Sequence, residues 1–387
     1  MKMIEIKKKE ECCGCNACVQ ICPKNCISIQ ADTEGFWYPN VNEAKCVHCD
    51  MCVKVCPVIN KEERKPEEIP VVFAVYAKDS ILRDESSSGG IFSLLAEQVL
   101  QNGGTVFGAA FTSDWQVHHI AVNDKKNMYM LRGSKYLQSN IENTYIEAKR
   151  VLDSQKEVLF SGTGCQIEGL QRFLGKDYDN LTTVDILCHG VPSPKVWDKY
   201  RKYQEKQYNS KARDISFRNK SQGWRKFSLK IGFENGAEYS QILDEDIFMQ
   251  LFLRNICLRP SCYNCKFKSL HRSSDITIGD FWGIESVAPD VDDDKGTSLV
   301  LTHTSKGDDR IRILIDKVKI HEVNAEIALP ESAESRHSVA MHRKRRKFFS
   351  QLDKKEVDQL IKLLKEPIIE RVKRKAKFFI RKIISCS

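Results

Sequence analysis

Two patterns divide the chain. The first sixty residues are punctuated by cysteines and show no long apolar period, whereas from Val71 onward apolar positions recur at strand or helix spacing. "VVFAVYA" is a short run rich in β-branched and aromatic residues and predicts a buried strand. "GGIFSLLAEQVLQNGG" carries helical apolar spacing with a Gly stop. "TVFGAAF" and "VHHIAV" predict strands, and Asn140 to Leu152 a helix. "EVLFSG" reads as a short strand, followed by a Gly-rich turn and a helix from about Gln166. "LTTVDIL" is another strand, and "HGVPSP" a turn into a helix near Val196. From Asp214 to Leu243 the signal becomes antiparallel, with "KFSLKIGF" and "AEYSQIL" joined by "ENG". "DITIGD", "SLVLTH" and "VKIHEV" predict strands, and Arg310 to Ile315 a helix. The expected fold class is α+β, with a mixed sheet in the body.

The 387 residues suffice for two to three domains and a large core. No apolar run approaches the roughly 20 residues of a membrane span, and "MKMIEIKKKEECCGC" lacks the apolar segment of a secretory signal. The net charge of +9 is concentrated: from Met341 onward 16 Lys and Arg face 5 Asp and Glu, which leaves the remainder slightly acidic. Basicity is thus a property of the tail and gives no nucleic-acid footprint to the body. Sixteen cysteines without an export signal fit metal ligation in a reducing cytoplasm better than disulfides.

The cysteine pattern is a tandem repeat. "CCGCNACVQICP" begins at Cys12 and "CVHCDMCVKVCP" at Cys46, 34 residues later. Cys12, Cys15, Cys18 and Cys22 with Pro23 fit C-x2-C-x2-C-x3-C-P, as do Cys46, Cys49, Cys52 and Cys56 with Pro57. Soft, charged thiolates suit iron, and in such tandem runs the fourth cysteine serves the other cluster. The expected ligand sets are therefore Cys12, Cys15, Cys18 and Cys56 for one [4Fe-4S] cluster, and Cys46, Cys49, Cys52 and Cys22 for the second. Cys13 and Cys26 fall outside the pattern and read as plain buried thiols. Residues 1–60 resemble a bacterial two-cluster ferredoxin. A charged, Pro-bounded linker spans 61–70, the body 71–335 and a basic helical tail 336–387.

Three loops of the body suggest a phosphate-bearing cofactor. "DESSSGGIF" places Ser86 to Gly90 before a helix, whose N-terminal amides favour phosphate. "LRGSKYLQS" adds Arg132 and Lys135 for charge and Tyr136 for stacking. "LFSGTGCQIEGL" is a strand, a glycine turn and a helix carrying Cys165. With "DTEGFWYP", "DILCHGVPSP", "SCYNCKF" and "DITIGDFWG", these segments in this order resemble the coenzyme F420 hydrogenase/dehydrogenase beta subunit family from Cys12 to about Thr304. The resemblance implies FAD, held through Ser88, Gly89, Gly90, Ser134, Lys135, Thr163 and Gln166. It also implies electron exchange between a two-electron carrier, such as coenzyme F420, and one-electron clusters. Where the family pattern is expected to read "GTPC", this chain has "GTGC", losing a Pro that would stiffen the turn.

A second cysteine group, Cys257, Cys262 and Cys265, is spaced C-x4-C-x2-C and needs a fourth ligand. Cys188 at a strand end is the expected partner for a third [4Fe-4S] cluster, with Cys165, placed beside the flavin, as the other candidate for that fourth position. Zinc on the three cysteines plus His189 or His271 is the alternative. Catalytic candidates are His189, Cys165 and Asp280, with Trp282 as a cover for the flavin ring. The sequence thus predicts a cytoplasmic iron–sulfur flavoprotein oxidoreductase with a ferredoxin or partner subunit as redox partner and a small-molecule substrate. Alternatives are an electron-transfer adapter without its own substrate site, or a ferredoxin-dependent reductase of a sugar or other metabolite. The loosely amphipathic tail, with Ile368, Val372 and Phe378 to Ile380, adds a contact with an anionic membrane face or an acidic partner as a further expectation.

Overall fold

Nine strands form the central sheet of the computed structural model, which describes residues 3–61, 69–333 and 335–363. In chain order they are β3 (Val71–Ala77), β4 (Thr105–Phe111), β5 (Val117–Val122), β6 (Ser139–Asn140), β7 (Val158–Thr163) and β8 (Leu181–Ile186), then β12 (Ile276–Asp280), β13 (Ser298–Thr302) and β14 (Val318–Val323). They follow β1 (Ile27–Ala31) and β2 (Trp37–Val41), an antiparallel pair of their own. A third sheet holds β9 (Ala212–Asn219), β10 (Ser228–Phe233) and β11 (Glu238–Ile242). The order across the large sheet is β14-β3-β13-β12-β8-β7-β4-β5-β6. Its middle, β4-β7-β8-β12, is parallel, and most flanking pairs are antiparallel. The chain is therefore α+β with a mixed sheet.

The parallel middle explains where chemistry can gather. Strands β7, β8 and β12 end on one edge of the sheet, so the turns after Thr163, Ile186 and Asp280 emerge side by side. Strand β3 runs in the same sense as β12, since both pair antiparallel with β13, and its following loop reaches the same edge. Helix α4 (Ile91–Gln101) packs Ile91, Leu94, Leu95 and Val99 against the sheet, while α5 (Thr144–Asp153) and α6 (Gly164–Leu174) cover the other face. Helix α6 starts two residues before the expected Gln166, because Thr163 and Gln166 close a reciprocal cap.

Within the first sixty residues, short helices α1 (Ala17–Gln20) and α2 (Met51–Lys54) follow the cysteine loops. The loops repeat their backbone as well as their sequence. Gly14 and His48 share a positive φ, as do Asn16 and Asp50, each pair 34 residues apart. This module sits on the body. Backbone amides of Tyr145 and Ile146 donate to Gln20 Oε1, and Asn16 Nδ2 donates to Asn140 Oδ1 at 3.1 Å. Arg259, fully buried, donates to the carbonyls of Cys12 (2.8 Å) and Trp37 (3.0 Å) and to Gln138 Oε1 (3.0 Å).

Of the expected tail, the part up to residue 363 packs into the body. Val339, Phe348, Leu352, Val357 and Leu360 join the core around Trp197 and Phe248, and Arg345 pairs with Glu34. Residues 364–387, with Ile368, Val372 and Phe378 to Ile380, lie outside the described residues, as do 62–68 of the linker. No helix among the described residues is long and apolar enough to cross a membrane.

Candidate functional site

The turns at the sheet edge open onto one cavity of about 330 Å³, within the range of small-molecule sites. It is lined by Ser86 to Ser88 and Gly90, by Arg132 to Ser139, by Ser161 to Gln166 and by Ile186 to Val191. Ser261, Cys262 and Asn264 to Lys268 close one side, and Cys13 and Gly14 of the cysteine module reach in from another.

The Ser86–Gly90 loop is held from behind. Lys220 Nζ donates to the carbonyls of Arg83 (2.6 Å) and Lys295 (2.9 Å), and Arg218 donates to Ser87 O (3.3 Å) and to Asp280 Oδ1 (2.9 Å). Ser134 N and Oγ both donate to Ser87 Oγ, tying two of the expected loops together. Ser88 Oγ is buried without a hydrogen-bond partner, beside the open N-terminus of α4. An orphaned hydroxyl at a helix start is a ready contact for an anionic oxygen. Gly89 is different: it turns away from the cavity, with its amide on Ser298 Oγ, and a Cβ there would meet Val75 O at 2.3 Å. Its role is close packing against β3 and β13. Ser88, Gly90, Ser134, Lys135, Thr163 and Gln166 all line the cavity.

Arg132 and Lys135 are the basic side chains of that wall, and Lys135 buries its charged end. Its ammonium donates to the carbonyls of Arg132 and Gly133, and burial pushes its pKa down to about 7. His119, which no sequence motif singles out, donates from Nε2 to Ser161 O (3.0 Å) and accepts at Nδ1 from Ser139 Oγ (2.6 Å). Burial lowers its pKa to about 4, so it stays neutral and fixes the floor between β5 and β7.

The thiols gather in three groups. Cys18 has Cys12, Cys56 and Cys52 as charged neighbours; burial raises its thiol pKa first and those neighbours add to it. Cys15 lies near Cys18 and Cys56, so the fourth cysteine of the second repeat stands with the first three of the first. Cys22, Cys46, Cys49 and Cys52 line a small cavity at the outer end of the module, where Cys49 is exposed. Cys26 joins them, 3.3 Å from Cys22. The third group is Cys165, Cys188, Cys262 and Cys265, all on the main cavity. Burial pushes Cys262 up to about 12, and Val191 N at 3.4 Å opposes it; Cys265 and Cys165 raise it further. Among the described residues no three His, Cys, Asp or Glu side chains converge as a single-ion site.

Cys257 departs from expectation. Ser193 N donates to Cys257 O and Arg259 N to Val191 O, so residues 257–259 lie alongside 191–193. That pairing fixes the Cys257 side chain in the core with Trp197 and Phe252, fully buried and off the cavity. The charged group that acts most on it is Arg345. Cys165, in the first turn of α6, lines the cavity with Cys188, Cys262 and Cys265.

Two further expectations concern side chains at the rim. Asp280 lines the cavity, but its Oδ1 already accepts from Arg218 and from Trp224 Nε1 (3.1 Å), which makes it a positioning group. Trp282 is half exposed and stacks on Trp224, ring centroids 4.7 Å apart, outside the cavity lining. His189 lines the cavity and hydrogen-bonds Asn255 Oδ1 at 2.6 Å. Lys268 Nζ donates to His189 O, and Arg272, buried on Asp185 at 2.7 Å, adds another cation to the same side. The Asp185–Arg272 pair had no signal in the sequence, because its members lie 87 residues apart.

Comparison with known proteins sets these groups in context. Residues 11–60 match the 4Fe-4S dicluster domain, and residues 155–327 match the family described as the C-terminal part of the coenzyme F420 hydrogenase/dehydrogenase beta subunit. Among solved structures, the chain is similar to one in the xenon-derivatized F420-reducing [NiFe] hydrogenase complex from Methanosarcina barkeri, at 17% identity over 67% of this chain and 85% of that one, with a TM-score of 0.46. A search of curated proteins gives no match. The chain thus joins a region that matches a 4Fe-4S dicluster domain to a region that matches the C-terminal part of the coenzyme F420 hydrogenase/dehydrogenase beta subunit, which supports iron–sulfur oxidoreductase electron transfer in the broad sense.

Proposed function

We propose that this chain is an iron–sulfur flavoprotein that moves electrons between a two-electron substrate at FAD and a line of one-electron clusters. The observation that carries this reading is the single cavity onto which the flavin-type loops and four thiols open together. FAD, when bound, would supply the exchange between paired and single electrons. Ser88, Ser134 and Lys135 would hold its diphosphate, and Thr163 and Gln166 would set the β7 turn against it. Neutral His119 would keep the floor uncharged.

The proposed ligand sets are Cys12, Cys15, Cys18 and Cys56 for an inner module cluster, and Cys22, Cys46, Cys49 and Cys52 for an outer one. The third set becomes Cys165, Cys188, Cys262 and Cys265 in place of one containing Cys257. Residues 1–60 form the cluster module and about 71–363 the flavin body in this proposal. A one-electron carrier or partner subunit would meet the outer group, and the substrate, F420-like or another small molecule, the cavity. His189 is the proposed proton donor there.

Anaerobic purification with iron and flavin analysis tests this. The expected content is about 12 irons and one FAD per chain. Cys165→Ala and Cys188→Ala should each fall to about 8 irons, while Cys257→Ala keeps about 12. Preparations that never take up flavin would sink the reading, and a Cys257→Ala protein short of four irons would restore the C-x4-C-x2-C set.

A further inference from the structure

Five thiols line the small cavity at the outer end of the module, one more than the repeat assigns to a cluster there. The extra one is Cys26. Its Sγ lies 3.3 Å from Cys22 Sγ, and both residues are more than nine-tenths buried. Two pieces of backbone bring them together. Cys22 follows α1, and a turn with Asn25 in the left-handed region (φ 47°) brings the chain back, Asn25 N donating to Cys22 O. Cys26 then stands at the base of β1, where Asn42 N donates to its carbonyl at 2.8 Å and extends the pairing of β1 with β2. The opposite strand continues through Glu43–Lys45 to Cys46. The hairpin thus anchors Cys26, and the turn anchors Cys22. Cys46 and Cys52 have supports of their own: His48 N donates to Cys46 Sγ (3.4 Å) and Ile4 N to Cys52 Sγ (3.3 Å). The four thiolates of a cubane cluster cap separate corners, so two sulfurs in contact compete for one iron.

We propose that Cys26 is a reserve ligand of the outer site: the iron corner that the repeat assigns to Cys22 can be capped by either side chain. This rests on the reading that the outer group holds a [4Fe-4S] cluster. In the exchange, the iron–sulfur bond to Cys22 breaks and one to Cys26 forms. The proton that leaves Cys26 passes to Cys22, and the electron count does not change. The outer site is the place where a reserve has value. Cys49 is exposed there, and accessible thiols are the first to meet an oxidant.

Iron analysis of the full-length protein, purified anaerobically, tests the proposal. Cys22→Ala should hold as many irons as wild type, and so should Cys26→Ala. The double variant Cys22→Ala/Cys26→Ala should lose about 4 irons. The reduced outer cluster of Cys22→Ala should give a shifted EPR signal, and that of Cys26→Ala the wild-type signal. A Cys22→Ala protein that loses about 4 irons by itself, or about one with a three-iron cluster left behind, would overturn the reserve ligand. A double variant with the full iron content would overturn it too. A second measurement keeps Cys22 in place: iron release from the outer cluster to a chelator should be on the order of tenfold faster in Cys26→Val, which fills the same space without a sulfur. Equal release rates would overturn the proposal. A wild-type protein with about 4 irons or fewer would instead remove the reading on which it rests.

Discussion

Lys135 shows how one residue sets the working range of the site. Burial holds its pKa near 7, so in the empty protein it is about half charged at neutral pH. A diphosphate binds the protonated form. Above pH 7 binding must take up a proton, and the affinity for FAD should fall, by up to about tenfold per pH unit. Well below pH 7 the lysine is already charged and the affinity should level off. Titrating flavin-free protein with FAD from pH 6 to 9 by fluorescence checks this sign, and Lys135→Met should flatten the profile while weakening binding most at low pH. A second residue-scale expectation concerns Gly89, where a Cβ would drive into Val75 O and Ser298. Gly89→Ala should displace the Ser88 hydroxyl and abolish flavin retention on a sizing column, with iron content unchanged.

At the scale of elements, helix α8 (Ile247–Leu253) leads into the loop that carries Cys262 and Cys265. Buried Asp246 caps it: Oδ1 accepts from Met249 N at 2.7 Å, and Oδ2 from Tyr239 Oη at 2.8 Å and from Tyr200 Oη. Asp246→Ala would lose the cap and leave the buried Tyr200 hydroxyl and the part-buried Tyr239 hydroxyl without this acceptor. A loss of ~3 kcal/mol in unfolding free energy is expected by denaturant titration. Elements were the legible part of this protein. Strands such as Val71–Ala77 and helices such as Ile91–Gln101 are written in local apolar spacing, and the cysteine repeat is written in local spacing too. Cys257 is where spacing and structure part: the spacing groups it with Cys262 and Cys265, and the structure sets it apart from them. C-x4-C-x2-C describes a loop only if the first cysteine leaves the chain on the same side as the others, and pairing with residues 191–193 turns it into the core. Cys165 was legible as a turn residue, but its neighbours Cys188, Cys262 and Cys265 meet it only through the order of strands in the sheet. His119, Arg272 and Arg259 likewise draw their meaning from partners far along the chain, which no local pattern encodes.

For the whole molecule, the decisive contact is the seat of the cysteine module on the body. Arg259 joins Cys12 O, Trp37 O and Gln138 Oε1 in one buried guanidinium. Arg259→Met keeps much of the volume but leaves these acceptors unpaired, at about 1–3 kcal/mol for each that stays dry. The module should loosen while its own clusters and the flavin remain bound. Stopped-flow reduction of the flavin by an external one-electron donor should then slow by tenfold or more, although direct chemical reduction of each centre is unaffected. An unchanged rate would mean that the donor bypasses the module.

Gly169, buried in α6, faces the cysteine module: a methyl placed on it would lie 2.8 Å from Cys15 Cβ and 3.1 Å from Cys15 Sγ. In the proposed electron path this missing side chain is a clearance: one added carbon would press on Cys15, a proposed ligand, and shift it away from α6. Tunnelling decays exponentially with distance, so such a shift would slow electron passage from the module to the cavity.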